Sequence, residues 1–257
     1  MDIGISTACF YPMETERALQ REIDLGFRTF EIFFNSASEL CKSFLSDLKE
    51  RVGSEGRIVS IHPFTSGYES YLLFSQYERR FNDTLDFYEN YFEAANVLGA
   101  DILVIHGEKN NPFFSDEQYL ERFYRLSEHG RKSGIRVAQE NVVNHRGQSP
   151  SFIRKMREQL GEYAHFVLDI KQAVRAKVSP HEMCDAMGDR LIHLHANDHD
   201  AARDCLLAGE GSMDFVRLFD QMKKNGFSGD CILEVYSSAI GGDEALRRAK
   251  MVLERAI

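Results

Sequence analysis

The chain has 257 residues, 43% hydrophobic and 28% charged, with a formal net charge of −9. That is ample material for a core, and the acidic balance argues against nucleic acid as a partner, because a phosphate backbone is held by a basic surface. There is no run of eighteen apolar residues, so no membrane helix is expected, and five scattered cysteines without a CxxC pair suit a reducing cytoplasm.

The N-terminus, "MDIGIST", opens as a strand and not as a basic stretch followed by an apolar leader. Seven similar runs follow in chain order: "TFEIFF", "RIVSIH", "DILVIH", "RVAQEN", "HFVLDI", "LIHLHA" and "CILEVY". Each suits a strand of four to six buried residues and is too short for a typical globular helix. Helical patterns lie between them. Phe81, Leu85, Tyr88, Phe92 and Ala95 recur at steps of four and three, as one apolar stripe. Phe215, Leu218, Phe219 and Met222 repeat the pattern, as do Leu246, Ala249, Val252 and Leu253. Ser115 and Ser149-Pro150 read as helix starts. Gly99, Gly134 and Gly226 fall where helices need a left-handed cap. The long stretch from Phe64 to Tyr77, rich in Tyr, Phe and Ser, reads as a lid or pocket wall.

Eight strand-then-helix units over residues 1–257 predict a single α/β domain, a (β/α)8 TIM barrel. The competing doubly wound sheet would carry a glycine-rich phosphate loop after its first strand, and "STACFYPME" is not one. In such a barrel the C-terminal strand ends meet at one mouth. Those ends carry His62, His106, Glu140, Asp169, His195 and Glu234, with Glu31 on the second strand. Taken singly, each is more often a satisfied core histidine or an ion-paired carboxylate. Together they have the chemistry of a metal site, because buried carboxylates need a cation. Glu31 is open between a substrate contact and a partner for a neighbouring cation. Residues 193–211 concentrate three histidines and four acidic residues.

With these residues in place, the chain resembles the xylose isomerase-like TIM barrels, which include sugar isomerases and epimerases, inosose dehydratases and abasic-site nucleases of the endonuclease IV type. The resemblance rests on "SIHPF", "VIHGE", "QEN", "LDI", "HLHAND" and "GEGSMDF", in that order along nearly the whole chain. It implies one divalent metal (Mn, Zn, Co or Fe) held by Glu140, Asp169, His195 and Glu234. His62 and His106 match the histidines that hold a second metal in the nucleases; the alternative is that they bond substrate hydroxyls. Gln172 and Cys205 stand where the nucleases place histidines for a third zinc, so that site is expected to be missing, with Asp198, His199 and Asp204 left as supporting or substrate contacts.

The implied reaction is isomerisation or epimerisation of a sugar or sugar phosphate, with Glu140 and Glu234 moving a proton beside a carbonyl. A nuclease-like hydrolase, an inosose dehydratase-like lyase and a non-catalytic regulatory barrel are the alternatives. Candidate substrate contacts are Glu31, Phe64, Tyr68, Arg146, Lys171 and His199, with Phe10 as a further wall. Arg146 and Lys171, read as mouth-side loop residues, would meet a phosphate or an acidic sugar. The partner is a small sugar, inosose or sugar phosphate, and homo-oligomerisation is left open.

Overall fold

Each of the eight apolar runs forms a parallel strand: β1 (Ile3–Ser6), β2 (Thr29–Phe33), β3 (Arg57–His62), β4 (Ile102–Ile105), β5 (Arg136–Glu140), β6 (His165–Asp169), β7 (Leu191–Ala196) and β8 (Asp230–Leu233). The computed structural model describes residues 1–109 and 114–257. The strands pair in sequence order, and β1 pairs with β8 to close an eight-stranded barrel, the (β/α)8 arrangement expected.

Ten helices among the described residues surround it: α1 (Thr15–Asp24), α2 (Lys42–Val52), the one-turn α3 (Glu69–Leu72), α4 (Glu78–Leu98), α5 (Asp116–Lys132), α6 (Pro150–Leu160), α7 (Ile170–Arg175), α8 (Pro180–Met187), α9 (Phe215–Lys224) and α10 (Asp243–Ala256). Ser115 closes a capping box with Gln118 at the start of α5, and Ser149 caps α6 with Pro150 at its first position. The stripe of α4 is buried against the sheet, where Phe81, Leu85 and Phe92 each contribute about 1.5–3 kcal/mol. Among the described residues no helix is long and apolar enough to cross a membrane.

Strand alternation decides which residues enter the barrel. Ile102, Val104, Ala138 and Val167 form a small apolar cluster separate from the main core between sheet and helices. Two residues further along the same strands stand His106, Glu140 and Asp169. The barrel therefore has an apolar floor and a polar upper layer. Gly4 permits the closure, since a Cβ there would lie 2.5 Å from the Thr29 carbonyl oxygen. A register shift at Phe30/Glu31 sets Glu31 opposite Ser60.

The stretch from Phe64 to Tyr77 is packed into the body. Glu69, Leu73 and Phe74 are buried, and Phe74 stacks on Tyr119 with ring centroids 4.3 Å apart. Its tyrosines Tyr68, Tyr71 and Tyr77 face solvent.

Candidate metal centre

Asp169 and His195 are register partners at the ends of β6 and β7, and Glu140 ends β5. Glu234 follows β8 by one residue, its N–H donating to the Ala196 carbonyl at 3.0 Å. The four side chains converge. His195 Nδ1 lies 2.5 Å from Glu234 Oε2, 3.8 Å from Glu140 Oε1 and 3.8 Å from Asp169 Oδ2. Both His195 Nδ1 and Glu234 Oε2 are buried without a hydrogen-bond partner. Two close polar atoms aligned in no hydrogen bond are turned toward a common point, as ligand atoms are.

The other ring nitrogen explains the orientation. His195 Nε2 sits 3.1 Å from Oε2 of Glu31, which is wholly buried at mid-strand on β2. The same oxygen accepts from Ser60 Oγ at 2.8 Å and lies 3.2 Å from His193 Nε2. An ionised carboxylate only accepts, so Nε2 of His195 carries a proton, and the Nδ1 lone pair can serve a cation.

Electrostatics agree. Burial pushes the Glu140 carboxyl up, but the surrounding imidazoles of His106, His195 and His62 hold it well below its ordinary value. For Glu31, burial is likewise outweighed, by the charge of His195 and the hydrogen bonds of both histidines. Glu234, against its burial, is held down to about 2 by His195 and Lys171. His195 is raised well above the usual range despite burial, chiefly by the charges of Glu234 and Glu31. Among the described residues, four carboxylates (Glu31, Glu140, Asp169 and Glu234) thus share a space where Lys171 is the one permanent cation. A divalent cation fits this donor set and would supply the missing charge. Among the described residues, Glu140, Asp169 and His195 form one group whose geometry could hold a metal, and His62, His106 and Glu140 form another. In the second group, Glu140 Oε2 is 3.3 Å from His106 Nε2 and 3.7 Å from His62 Nε2, while Ser66 Oγ meets His62 Nδ1 at 2.9 Å.

Asn141 and Asn197, inside the quoted "QEN" and "HLHAND" but not singled out, hold the cage together. Asn141 accepts from the Asp169 N–H at 2.7 Å and donates to its carbonyl at 3.0 Å. Asn197 Nδ2 donates to Asp169 Oδ1 at 3.2 Å and to the Glu234 carbonyl at 3.3 Å. Each was available as an amide beside a carboxylate at a strand end.

Other expected contacts lie elsewhere. Lys171 is not on a loop: β6 runs directly into α7, Asp169 caps that helix through the Gln172 N–H, and Lys171 is 2% exposed with its ammonium on Asp169 and Glu234. The Arg146 guanidinium is engaged by Glu108 at 2.7 Å, Asp116 at 2.5 Å and the Phe114 carbonyl, so it is held as a structural ion pair. Phe64 packs on Phe87 and Tyr91 of α4, Phe10 is buried beneath Arg21, and Tyr68 is 67% exposed. Asp198 accepts four backbone N–H groups, from His199, Gly209, Gly211 and Met213, at 2.8–3.0 Å; it clasps the 198–213 loop. His199 is half-buried in that loop, outside the cage. Asp204 pairs with Arg175. Gln172 accepts from the Val143 N–H, and burial keeps the Cys205 thiol above its usual range. Beside the cage a cavity of 620 Å³ opens between Val174, Cys205, Glu210, Tyr236 and Ala239.

A family model described as xylose isomerase-like TIM barrel matches residues 19–256. An uncharacterised protein of Mycobacterium tuberculosis is 28% identical over 262 residues, covering 92% of this chain and 89% of that one. Among solved structures, a D-tagatose 3-epimerase-like protein superposes with a TM-score of 0.80 at 21% identity, covering 100% of this chain and 97% of that one. The 3-keto-D-glucoside 4-epimerase YcjR of E. coli gives 0.78 at 17% identity, with 99% of each chain covered. At these identities the two structures speak for the fold.

Proposed function

The chain belongs to the xylose isomerase-like TIM barrel family, and from that membership we propose that it is a divalent-metal-dependent isomerase or epimerase of a sugar or sugar phosphate. The observation that carries the reading is the unpartnered, buried Nδ1 of His195, set among the carboxylates of Glu140, Asp169 and Glu234. The epimerase names of the two similar structures support the same class.

Glu140, Asp169, His195 and Glu234 would hold the metal. Bound there, the cation would act as a Lewis acid on the carbonyl and the neighbouring hydroxyl of the sugar. The protein does the rest. Glu140 and Glu234 approach from β5 and from the end of β8, on different sides of the mouth, so one takes the proton beside the carbonyl and the other returns one. Both are ionised at neutral pH, as a base must be. Asn141, Asn197 and Glu31 orient the set. The cavity that Tyr236 lines would receive the rest of the sugar.

A second reading keeps one observation of its own. His62, His106 and Glu140 form a second group that could hold a cation, the arrangement a two-metal hydrolase would need. Metal stoichiometry separates the readings.

The test is solvent deuterium exchange into candidate ketoses, inososes and their phosphates with Mn-reconstituted protein. Exchange that vanishes in both Glu140→Gln and Glu234→Gln, by about 10²–10⁴-fold or more, supports two-base proton transfer. Turnover with no exchange and no proton moved between substrate carbons points to a hydride shift. Cleavage of abasic DNA by protein with two bound metals per chain would favour the hydrolase.

A further inference from the structure

A lysine in the first turn of a helix is badly placed. The helix N-terminus is positive, and cations are favoured at the other end. Lys171 nevertheless occupies the second position of α7, with its side chain 3% exposed. It turns back to the barrel mouth, where the ammonium bonds Asp169 Oδ2 and lies 3.4 Å from Glu234 Oε1. Those carboxylates belong to two of the four proposed metal ligands. Asp169 Oδ2 is also an oxygen that faces His195 Nδ1. The ammonium therefore stands on the inward-facing oxygen of Asp169 and on the outer oxygen of Glu234, whose Oε2 faces His195.

We infer that Lys171 is the resident cation of the cage, an internal competitor that holds Asp169 and Glu234 together in the metal-free protein and must withdraw when a divalent cation binds. The inference rests on the metal-dependent reading above. An ammonium and a divalent cation both on Asp169 Oδ2 would repel strongly in a water-poor site. The withdrawn head has a place to go. Its Nζ is 5.9 Å from the centre of the Tyr236 ring, on the wall of the 620 Å³ cavity, and a ring face attracts ammonium, here one it would share with Arg175. Exchange would thus carry a positive charge from the cage to the wall of the substrate cavity as the metal enters.

The device has a clear advantage for a buried acidic cage. Carboxylates this close repel one another when nothing lies between them. A tethered ammonium keeps them in place and ionised, and it weakens the site for adventitious cations, so that only a cation able to displace it is retained.

The experiment compares Mn binding by wild type, Lys171→Met and Lys171→Gln, by calorimetry on metal-stripped protein, with circular dichroism to verify folding. Met keeps the buried stem without the charge, and Gln keeps a donor for the carboxylates should Met fail to fold. Removal of the competitor should tighten Mn binding by at least about tenfold. In parallel, reductive methylation of wild type read by peptide mass spectrometry should find Lys171 protected without metal and labelled with it. Wild type that binds Mn while neither variant binds it more tightly overturns the inference and leaves the metal reading standing. So does Lys171 labelling that saturating Mn leaves unchanged. Failure of all three proteins to bind any divalent cation removes the metal reading and the inference with it.

Discussion

Replacing Glu31 by Gln should weaken metal binding without touching a ligand. Glu31 lies below the cage, and its Oε2 meets Ser60 Oγ at 2.8 Å, His195 Nε2 at 3.1 Å and His193 Nε2 at 3.2 Å. Its negative charge keeps the proton of His195 on Nε2, so Nδ1 offers a lone pair to the mouth. A glutamine can present its NH2 to Nε2, and the imidazole then moves its proton to Nδ1, the wrong tautomer for a ligand. Loss of such a supporting carboxylate typically costs about 10–100-fold in metal affinity. Each tenfold step is about 1.4 kcal/mol, so the expected loss is about 1.4–2.8 kcal/mol. Hydrogen-bond strengths lead to a similar figure: a bond to a charged group contributes about 1.5–3 kcal/mol against about 0.5–1.5 for a neutral one, and His195 keeps at most the weaker kind. The assay is Mn titration by electron paramagnetic resonance at fixed pH, with Glu31→Asp as a control that keeps the charge but shortens the reach. Wild-type affinity in Glu31→Gln would refute the tautomer argument and leave Glu31 a packing residue.

Other consequences follow from burial and charge. Stability of the metal-free protein should fall as pH rises above about 6.5, since His195 is raised above its ordinary value and its contribution, full below the unfolded value, is lost on the alkaline side. Glu22, whose carboxyl oxygens are buried without a partner, is also raised by burial and acts in the same direction from about pH 4.5 upward; Glu22→Gln should flatten the thermal-melt profile against pH, and an unchanged slope would dismiss it. Below about pH 4.5 the lowered carboxyls Glu31, Glu140 and Glu234 reverse the sign, so melting temperature should drop again in acid. Asp198→Ala removes the acceptor of four backbone N–H groups and should cost about 2–4 kcal/mol, with hydrogen exchange accelerated across 199–213 and little change at β7.

How much of this was legible in the sequence depended on whether the signal was local. Strand runs are local, and the eight expected strands match those observed to within a few residues at their ends. The parity that puts His106, Glu140 and Asp169 two residues above an apolar floor is local too, so the polar mouth could be read from strand ends alone. The misplaced residues depend on contacts that a strand-end pattern does not show, some of them far away in the chain. Arg146 looks like a free cation until Glu108 and Asp116, 38 and 30 positions earlier, are brought to it. Asp198 looks like a spare acidic contact until the following loop wraps around it. Lys171 reads as a loop residue because a βα connection is expected after "LDI", whereas Asp169 caps the next helix directly and leaves no loop. For Glu31 the sequence allows a substrate contact or a cationic neighbour, and its neighbours are His193 and His195, more than 160 positions away. Residue type at a strand end therefore told which chemistry the mouth could hold. The division of labour within it, who binds, who orients and who balances charge, is set by contacts across the closed barrel, and only closure brings β2 and β7 into reach of each other.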